Sequence, residues 1–357
     1  MNTIMNTAQV AHSGSWLRDL DIPGPEDVVV DRSKNIAYVS SQDRSGSEWV
    51  VWGMLRQRVT RWEKPGAIYT LNLDDRDPVP RRMTVKLPAL RSFHPCGIDL
   101  HVAPDGGRRL FVVNWYAPNE YAVEVFDVDG DTLRHVRAVR GKELTYPNDI
   151  VAVDQECFYV SNSLTWDHHL QGLETLLGMP TGTIVYHDPE EAALREVASG
   201  ITYANGIALD RLRKRLYVAS GATGRLVEFF WDPATPVERL RRCSALPLAF
   251  IPDNLAWEDD NTLWVAGSEI PKGMQYVLQL SDRAPSHVAR IVLPVADLAA
   301  DMPPLSRARP QAVYDDDGAE IPACSVAAPY AVQGERRFIV GSCFADRAIV
   351  CRVTTAC

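Results

Sequence analysis

The chain has 357 residues, 46% of them hydrophobic, and a formal net charge of −9. That size suffices for a large core, while the acidic balance argues against nucleic acid and anionic membrane surfaces, both of which would repel it. No apolar stretch approaches membrane-spanning length, and the N-terminus lacks the basic start and apolar run of a secretory signal, so a cytoplasmic location is expected.

Taken in chain order, residues 28–41, 97–115, 149–162, 206–221, 254–268 and 325–344 repeat one pattern. Each runs from an apolar strand through a charged turn into a second strand. The second strands are marked by Ala-Tyr-Val (37–39), Phe-Val-Val (111–113), Phe-Tyr-Val (158–160), Leu-Tyr-Val (216–218), Leu-Trp-Val (263–265) and Phe-Ile-Val (338–340). Further strands are expected at 67–73, 123–128, 183–186, 226–231, 276–280 and 348–353. Four strands per repeat at a period of about 50 residues predict an all-β fold, a six-bladed β-propeller around a central metal-binding channel. A closed ring makes residues 1–357 one domain, with residues 1–23 contributing to closure.

Two intervals are longer than the rest. Residues 42–65 carry Trp49, Trp52 and Trp62, and residues 297–317 are rich in proline. Both read as loops over one face of the ring, the first an aromatic lid whose Trp49 and Trp52 line a substrate pocket. Residues 167–178 place Leu170, Leu173, Leu176 and Leu177 at helical spacing, predicting a short amphipathic helix packed on the ring. The seven cysteines, Cys96, Cys157, Cys243, Cys324, Cys343, Cys351 and Cys357, contain no Cys-x-x-Cys pair and point to a reduced compartment.

The repeats are entered through Glu26-Asp27, Pro95-Cys96, Pro147-Asn148-Asp149, Asn205, Pro252-Asp253-Asn254 and Cys324-Ser325. If each repeat opens the innermost strand of a blade, these side chains converge on one end of the channel. Glu26, Asn148, Asn205, Asp253 and Asn254 offer oxygen alone, two of them charged, which suits a hard divalent cation such as Ca2+. Zinc sites favour nitrogen and sulfur instead. Asp27 and Asp149, one step inward, could bind a second ion. Asp and Asn also cap strand ends in ordinary loops. Their common register in four repeats is what favours a metal.

At these residues the chain resembles the paraoxonase/arylesterase family, calcium-dependent lactonases and esterases on a six-bladed propeller. The motifs are Pro-Glu-Asp (25–27), His-Pro-Cys-Gly-Ile (94–98), Asn-Asp-Ile-Val-Ala-Val (148–153), Tyr-Ala-Asn-Gly-Ile (203–207), Asp-Asn-Leu-Ala (253–256) and Gly-Ser-Cys-Phe (341–344). The resemblance implies a catalytic calcium held by Glu26, Asn148, Asn205, Asp253 and Asn254. It implies a structural calcium held by Asp27, Asp149 and the Ile98 carbonyl. Two departures stand out. The histidine pair beside the calcium in the animal enzymes is replaced by Cys96 and Trp115, and the family's terminal disulfide is missing, since Cys351 has no N-terminal partner.

The expected function is hydrolysis of a small-molecule lactone or aryl ester, with calcium as Lewis acid and Asp253 as general base or nucleophile. Glu26 is the reserve base. Cys96 is a third candidate, requiring a depressed thiol pKa, and otherwise lines the pocket with Trp115 and Cys324. His94 lies two residues from Cys96, and His168 and His169 stand beside the expected helix. Alternatives are a phosphotriesterase-type hydrolase, a non-hydrolytic biosynthetic enzyme like the strictosidine-synthase propellers, and a binding propeller in which calcium serves stability alone. Substrate identity and oligomeric state are not legible.

Overall fold

A computed structural model describes residues 16–44, 64–88, 92–117, 119–166, 170–190, 193–269, 272, 281, 283–293 and 305–353. Its strands form six antiparallel sheets, each of four strands apart from one extra parallel strand, Thr84–Lys86, on the second. The first blade holds Pro25–Asp31, Ile36–Ser41, Ala67–Asn72 and Arg81–Arg82. The second holds Pro95–Val102, Arg108–Ala117, Glu120–Asp129 and Thr132–Val139, and the third Pro147–Ala152, Phe158–Asn162, Gly182–Asp188 and Ala193–Ile201. Ala204–Asp210, Arg215–Ser220, Arg225–Phe230 and Arg241–Pro247 make the fourth; Ile251–Asp259, Thr262–Ser268, Ser286–Val292 and Pro310–Asp316 the fifth. In the sixth, Val326–Val332, Glu335–Gly341 and Ala348–Arg352 are completed by Trp16–Leu20. The fold is a six-bladed β-propeller.

Alternation along the second strands makes the ring. Tyr38, Phe111, Tyr159, Tyr217, Trp264 and Ile339 each pack toward the following blade, while the residues flanking them pack toward the preceding one. Each of the six apolar clusters consequently lies between two adjoining blades. The second blade corrects the sequence reading by one position. Its matching triplet is Leu110-Phe111-Val112, because Val112 pairs with Ile98 as Val39 pairs with Val28 and Val160 with Ile150.

Closure uses strand pairing. Trp16–Leu20 runs antiparallel to Ala348–Arg352, with Trp16 opposite Cys351. Cys351 is fully buried and, like the other described cysteines, makes no disulfide.

Two expectations change in the fifth blade. Its third strand is Ser286–Val292, whereas residues 276–280 lie outside the described residues. The proline-rich interval is not all loop either, since Pro310–Asp316 forms the blade's outer strand; Pro310 sits at its first residue, where a missing N–H is tolerated. Trp49, Trp52, Trp62, His168 and His169 also lie outside the described residues.

The helix forms as Gln171–Leu176. Three of the leucines foreseen as a packing face, Leu170, Leu173 and Leu177, are each about half exposed. Glu174 holds the helix instead. Fully buried, it accepts hydrogen bonds from the backbone N–H groups of Thr165 and Trp166 at 2.9 Å each, and from the Thr181 hydroxyl.

Candidate metal centre and active site

Five of the six innermost strands carry a β-bulge at their entry, and the bulges contain the sequence-predicted donors. Pairing skips Glu26 in the first blade, Cys96 and Gly97 in the second, and Asn148 and Asp149 in the third. It skips Asn205 and Gly206 in the fourth, and Asp253 and Asn254 in the fifth. A bulged residue has no ladder partner and its side chain is re-aimed, so the first, third, fourth and fifth blades each present one or two polar groups at the equivalent point of the repeat, and the second presents Cys96. The sixth blade has no bulge and supplies Ser325 just before its first strand.

Two glycines allow the close approach. A Cβ on Gly97 would lie 2.5 Å from the Asp149 Cα, and one on Gly206 would lie 2.4 Å from the Asp253 carbonyl oxygen. Each is therefore required where the backbone of the next blade presses against the bulge.

At and just beyond the bulges, carboxylates staple adjacent blades. Asp27 accepts from the Ile98 N–H and Asp149 from the Ile207 N–H, both at 2.8 Å, and Asp99 accepts from the Ala152 N–H at 2.7 Å. Burial lifts the Asp27 carboxyl to about 7, against the pull of the Ile98 and Val28 N–H groups and with the help of Glu26. Asp149 is pushed well above the usual carboxylate range by burial and then by the charge of Asp27. Asp253 is raised likewise, by burial and then by Glu26. Acidic groups are thus packed with too little compensating positive charge.

The upper ring holds buried side-chain oxygens without a hydrogen-bond partner. Glu26 Oε2, Asn148 Oδ1, Asn205 Oδ1 and Asn254 Oδ1 are buried oxygens with no hydrogen-bond donor. A buried acceptor without a donor costs about 1–3 kcal/mol, and four at one level from four blades is a set, not a scatter. These oxygens and the Asp253 carboxylate fit a hard divalent cation, which would compensate both the orphan acceptors and the crowded charge. The Asn254 amide is fixed by its other end, where Nδ2 donates to the Glu26 carbonyl at 3.0 Å.

A cavity of about 510 Å3 continues from Asp27 and Asp149 toward the opposite end of the channel, past Asp99, His101 and Arg211. Glu26, Asn148, Asn205 and Asp253 do not line it. It therefore lies behind the candidate centre.

The remaining predicted residues that the structure describes, Cys96, Cys324 and Trp115, are all buried. Cys96 is completely buried, its Sγ 3.8 Å from Glu26 Oε1, and burial pushes its thiol upward, away from a reactive thiolate. Cys324 is spent on the carbonyls of Gly267 and His287, at 3.2 and 3.4 Å. Trp115 is only 2% exposed, which makes it core rather than open pocket wall; its Nε1 donates to the Pro147 carbonyl at 2.7 Å and its ring centroid lies 4.8 Å from that of Tyr146. His94 faces Gln42, with Nδ1 2.9 Å from Oε1, and burial followed by the charge of Arg44 lowers it to about 4.

Three residues at the centre were given no role by the sequence reading. Arg44 stands 3.8 Å from Glu26 Oε2 and stacks over Trp115. Ser325, noted as an entry residue, donates from Oγ to the Glu26 carbonyl at 2.7 Å. Tyr203 adopts φ of +55°, unusual for an aromatic residue, and burial followed by the charge of Asp253 pushes its hydroxyl pKa up. Only the Tyr-Ala-Asn run gave any hint of it.

The arylesterase family profile matches residues 58–353. The chain belongs to the arylesterase family. Among curated relatives, serum paraoxonase/arylesterase 2 of Gallus gallus is 30% identical over 82% of this chain and 78% of its own length. Serum paraoxonase/arylesterase 1 of Homo sapiens is 28% identical over 81% of this chain and 77% of its own. Among solved structures, a putative gluconolactonase superposes with a TM-score of 0.52 over 97% of both chains at 11% identity, a likeness of fold.

Proposed function

We propose that this arylesterase-family enzyme is a calcium-dependent hydrolase of lactones and carboxylic esters. Its family makes it an ester-hydrolysing enzyme; the metal and the residue roles are the finer reading. The observation that carries the finer reading is the set of four buried oxygens without donors, from Glu26, Asn148, Asn205 and Asn254, gathered beside Asp253. Those five residues would hold the catalytic ion, and Asp27 with Asp149 a structural one. Bound calcium would supply Lewis-acid polarisation of the scissile carbonyl and charge stabilisation as it becomes an oxyanion.

The protein groups divide the remaining work. Asp253 is partly open to the channel, whereas Glu26 is buried and fixed through its carbonyl by Ser325 and Asn254. That makes Asp253 the better placed carboxylate to take the proton of an attacking water or to attack directly, with Glu26 as ligand. Asn205 hydrogen-bonds the Asp253 carboxyl and orients it. Cys96, fully buried and with its thiol pKa pushed up by burial, is given no part in the chemistry.

The test is turnover of a panel of lactones and aryl esters with calcium and then with chelator. Calcium-dependent hydrolysis, lost in Asp253→Asn with metal affinity largely kept, supports this reading. Silence across the panel, or turnover indifferent to chelator, overturns it.

A further inference from the structure

The cavity of about 510 Å3 is faced by all six innermost strands, from Asp27 and Asp149 at one end to Arg32, His101 and Arg211 at the other. Each of these strands is the edge of its sheet, and Val28, Ile98, Ile150 and Ile207 turn their side chains into the clusters between blades. Apart from the stapled N–H groups, unpaired backbone polar groups therefore face the channel, a lining that water and a hydrated cation can enter. Glu26, Asn148, Asn205 and Asp253 do not line this cavity, so it serves the deep carboxylate pair and not the upper ring.

Asp99 stands on that path and repeats the geometry of the pair. Asp27 accepts from the Val28 N–H on one oxygen and from the Ile98 N–H on the other, both at 2.8 Å. Asp149 accepts from Ile150 and Ile207 at 2.7 and 2.8 Å, and Asp99 from Leu100 and Ala152 at 2.8 and 2.7 Å. Two donors occupy about half of the roughly four acceptor sites of an ionised carboxylate, so each group is held in place yet can still meet a cation. Asp99 lies one staple nearer the far mouth, and its charge acts on both members of the pair.

Arginines frame the far mouth. Arg211 donates from Nη2 to the Ala152 and Val153 carbonyls at 2.9 and 2.6 Å, beside the strand that holds Asp99, and its charge acts on Asp99 and His101. Arg32 reaches from the first blade to the Trp257 carbonyl of the fifth. Asp154 near His101, and Glu258, Asp259 and Asp260 near Arg32, offset part of this positive charge. A cation passing Arg211 meets a repulsion that Asp99 counters, which makes both residues determinants of the rate of passage.

We propose that the far mouth is the entry route of the deep divalent cation, with Asp99 as its relay, a transient ligand between the mouth and the Asp27–Asp149 pair. This rests on the reading of that pair as the holder of a structural ion.

The experiment mixes the calcium-loaded full chain with an excess of fluorescent calcium chelator and follows release by stopped flow, while calorimetry gives the dissociation constant. The release phase that Asp149→Asn removes belongs to the deep pair. Asp99→Asn is expected to slow that phase by roughly 10-fold, the scale on which a charge at an entrance alters passage, with the dissociation constant unchanged because entry slows equally. Arg211→Gln is expected to quicken the same phase and leave the remaining release as it was. Faster release with weaker binding in Asp99→Asn would make Asp99 a resident ligand and overturn the relay. Circular dichroism checks the fold, and Arg211→Gln, at an exposed position, carries the test if Asp99→Asn does not fold. A deep phase indifferent to the variants sinks the route alone; the absence of any phase that Asp149→Asn removes sinks the deep-ion reading and the route with it.

Discussion

Ser325 and Glu26, 299 residues apart in the chain, meet where the sixth blade adjoins the first, through a 2.7 Å hydrogen bond from the Ser325 hydroxyl to the Glu26 carbonyl. Asn254 donates to the same carbonyl, and its own N–H donates to the Ser325 carbonyl at 2.9 Å. The one blade without a bulge thus positions a donor of the first blade against a donor of the fifth. Ser325→Ala should cost about 1 kcal/mol of stability, the net worth of one hydrogen bond, and lower the melting temperature by only a few degrees. Calcium affinity should fall more than that loss accounts for, as calorimetric titration would show. Unchanged affinity would make Ser325 a purely structural tie.

The orphan oxygens predict an unusual pair of effects at Asn205. Removing a buried acceptor that has no donor offsets the loss of the Asn205–Asp253 hydrogen bond, so Asn205→Leu is expected to change the melting temperature of the chelated protein by only a few degrees. The same substitution should erase most of the calcium-induced rise in melting temperature. Destabilisation of the chelated protein, with the calcium response intact, would count against a ligand role.

Stability should depend on pH in opposite senses with and without metal. The folded Asp27 carboxyl sits at about 7, above its ordinary 3.8, and Asp149 and Asp253 are raised too. A carboxyl raised on folding stabilises below its unfolded value and loses that contribution as pH climbs through the folded one. The chelated protein should therefore lose stability from pH 4 to 7, while the calcium-induced gain grows over the same window because protons no longer compete. Thermal melts across that range, with and without chelator, check both slopes.

Gly206 and Gly97 should tolerate no side chain. Gly206→Ala puts a Cβ 2.4 Å from the Asp253 carbonyl, a backbone atom that cannot swing aside, so the fifth bulge must shift. A displacement of about 1 Å at a reacting group can cost on the order of 100-fold in rate. Activity is expected to fall by that order, with calcium affinity reduced; a rate within threefold of the parent would show that the bulge has slack.

Much of the architecture is written in alternation. The triplets around Tyr38, Tyr159, Tyr217 and Trp264 announce second strands because their faces must fill two interfaces at once. In the second blade Phe111-Val112-Val113 and Leu110-Phe111-Val112 are equally apolar, and only pairing with Ile98 fixes the register. The fifth blade was harder, since proline at 310 reads as loop until its edge position is known. At the centre, carboxylates and amides in common register were legible, and their buried, donor-free oxygens fit that reading. Arg44 was not, because a lone arginine after a strand has no periodic signal, and its backbone is tied to the distant Cys343 carbonyl.

The central claim, a ring of oxygen donors that binds calcium and depends on it for catalysis, is tested most directly by one titration. Chelator-stripped protein is returned to calcium in steps, with heat and aryl ester hydrolysis followed together. Saturable binding with activity recovering in proportion is the predicted result. Full activity in the stripped protein with no heat of binding would contradict the account.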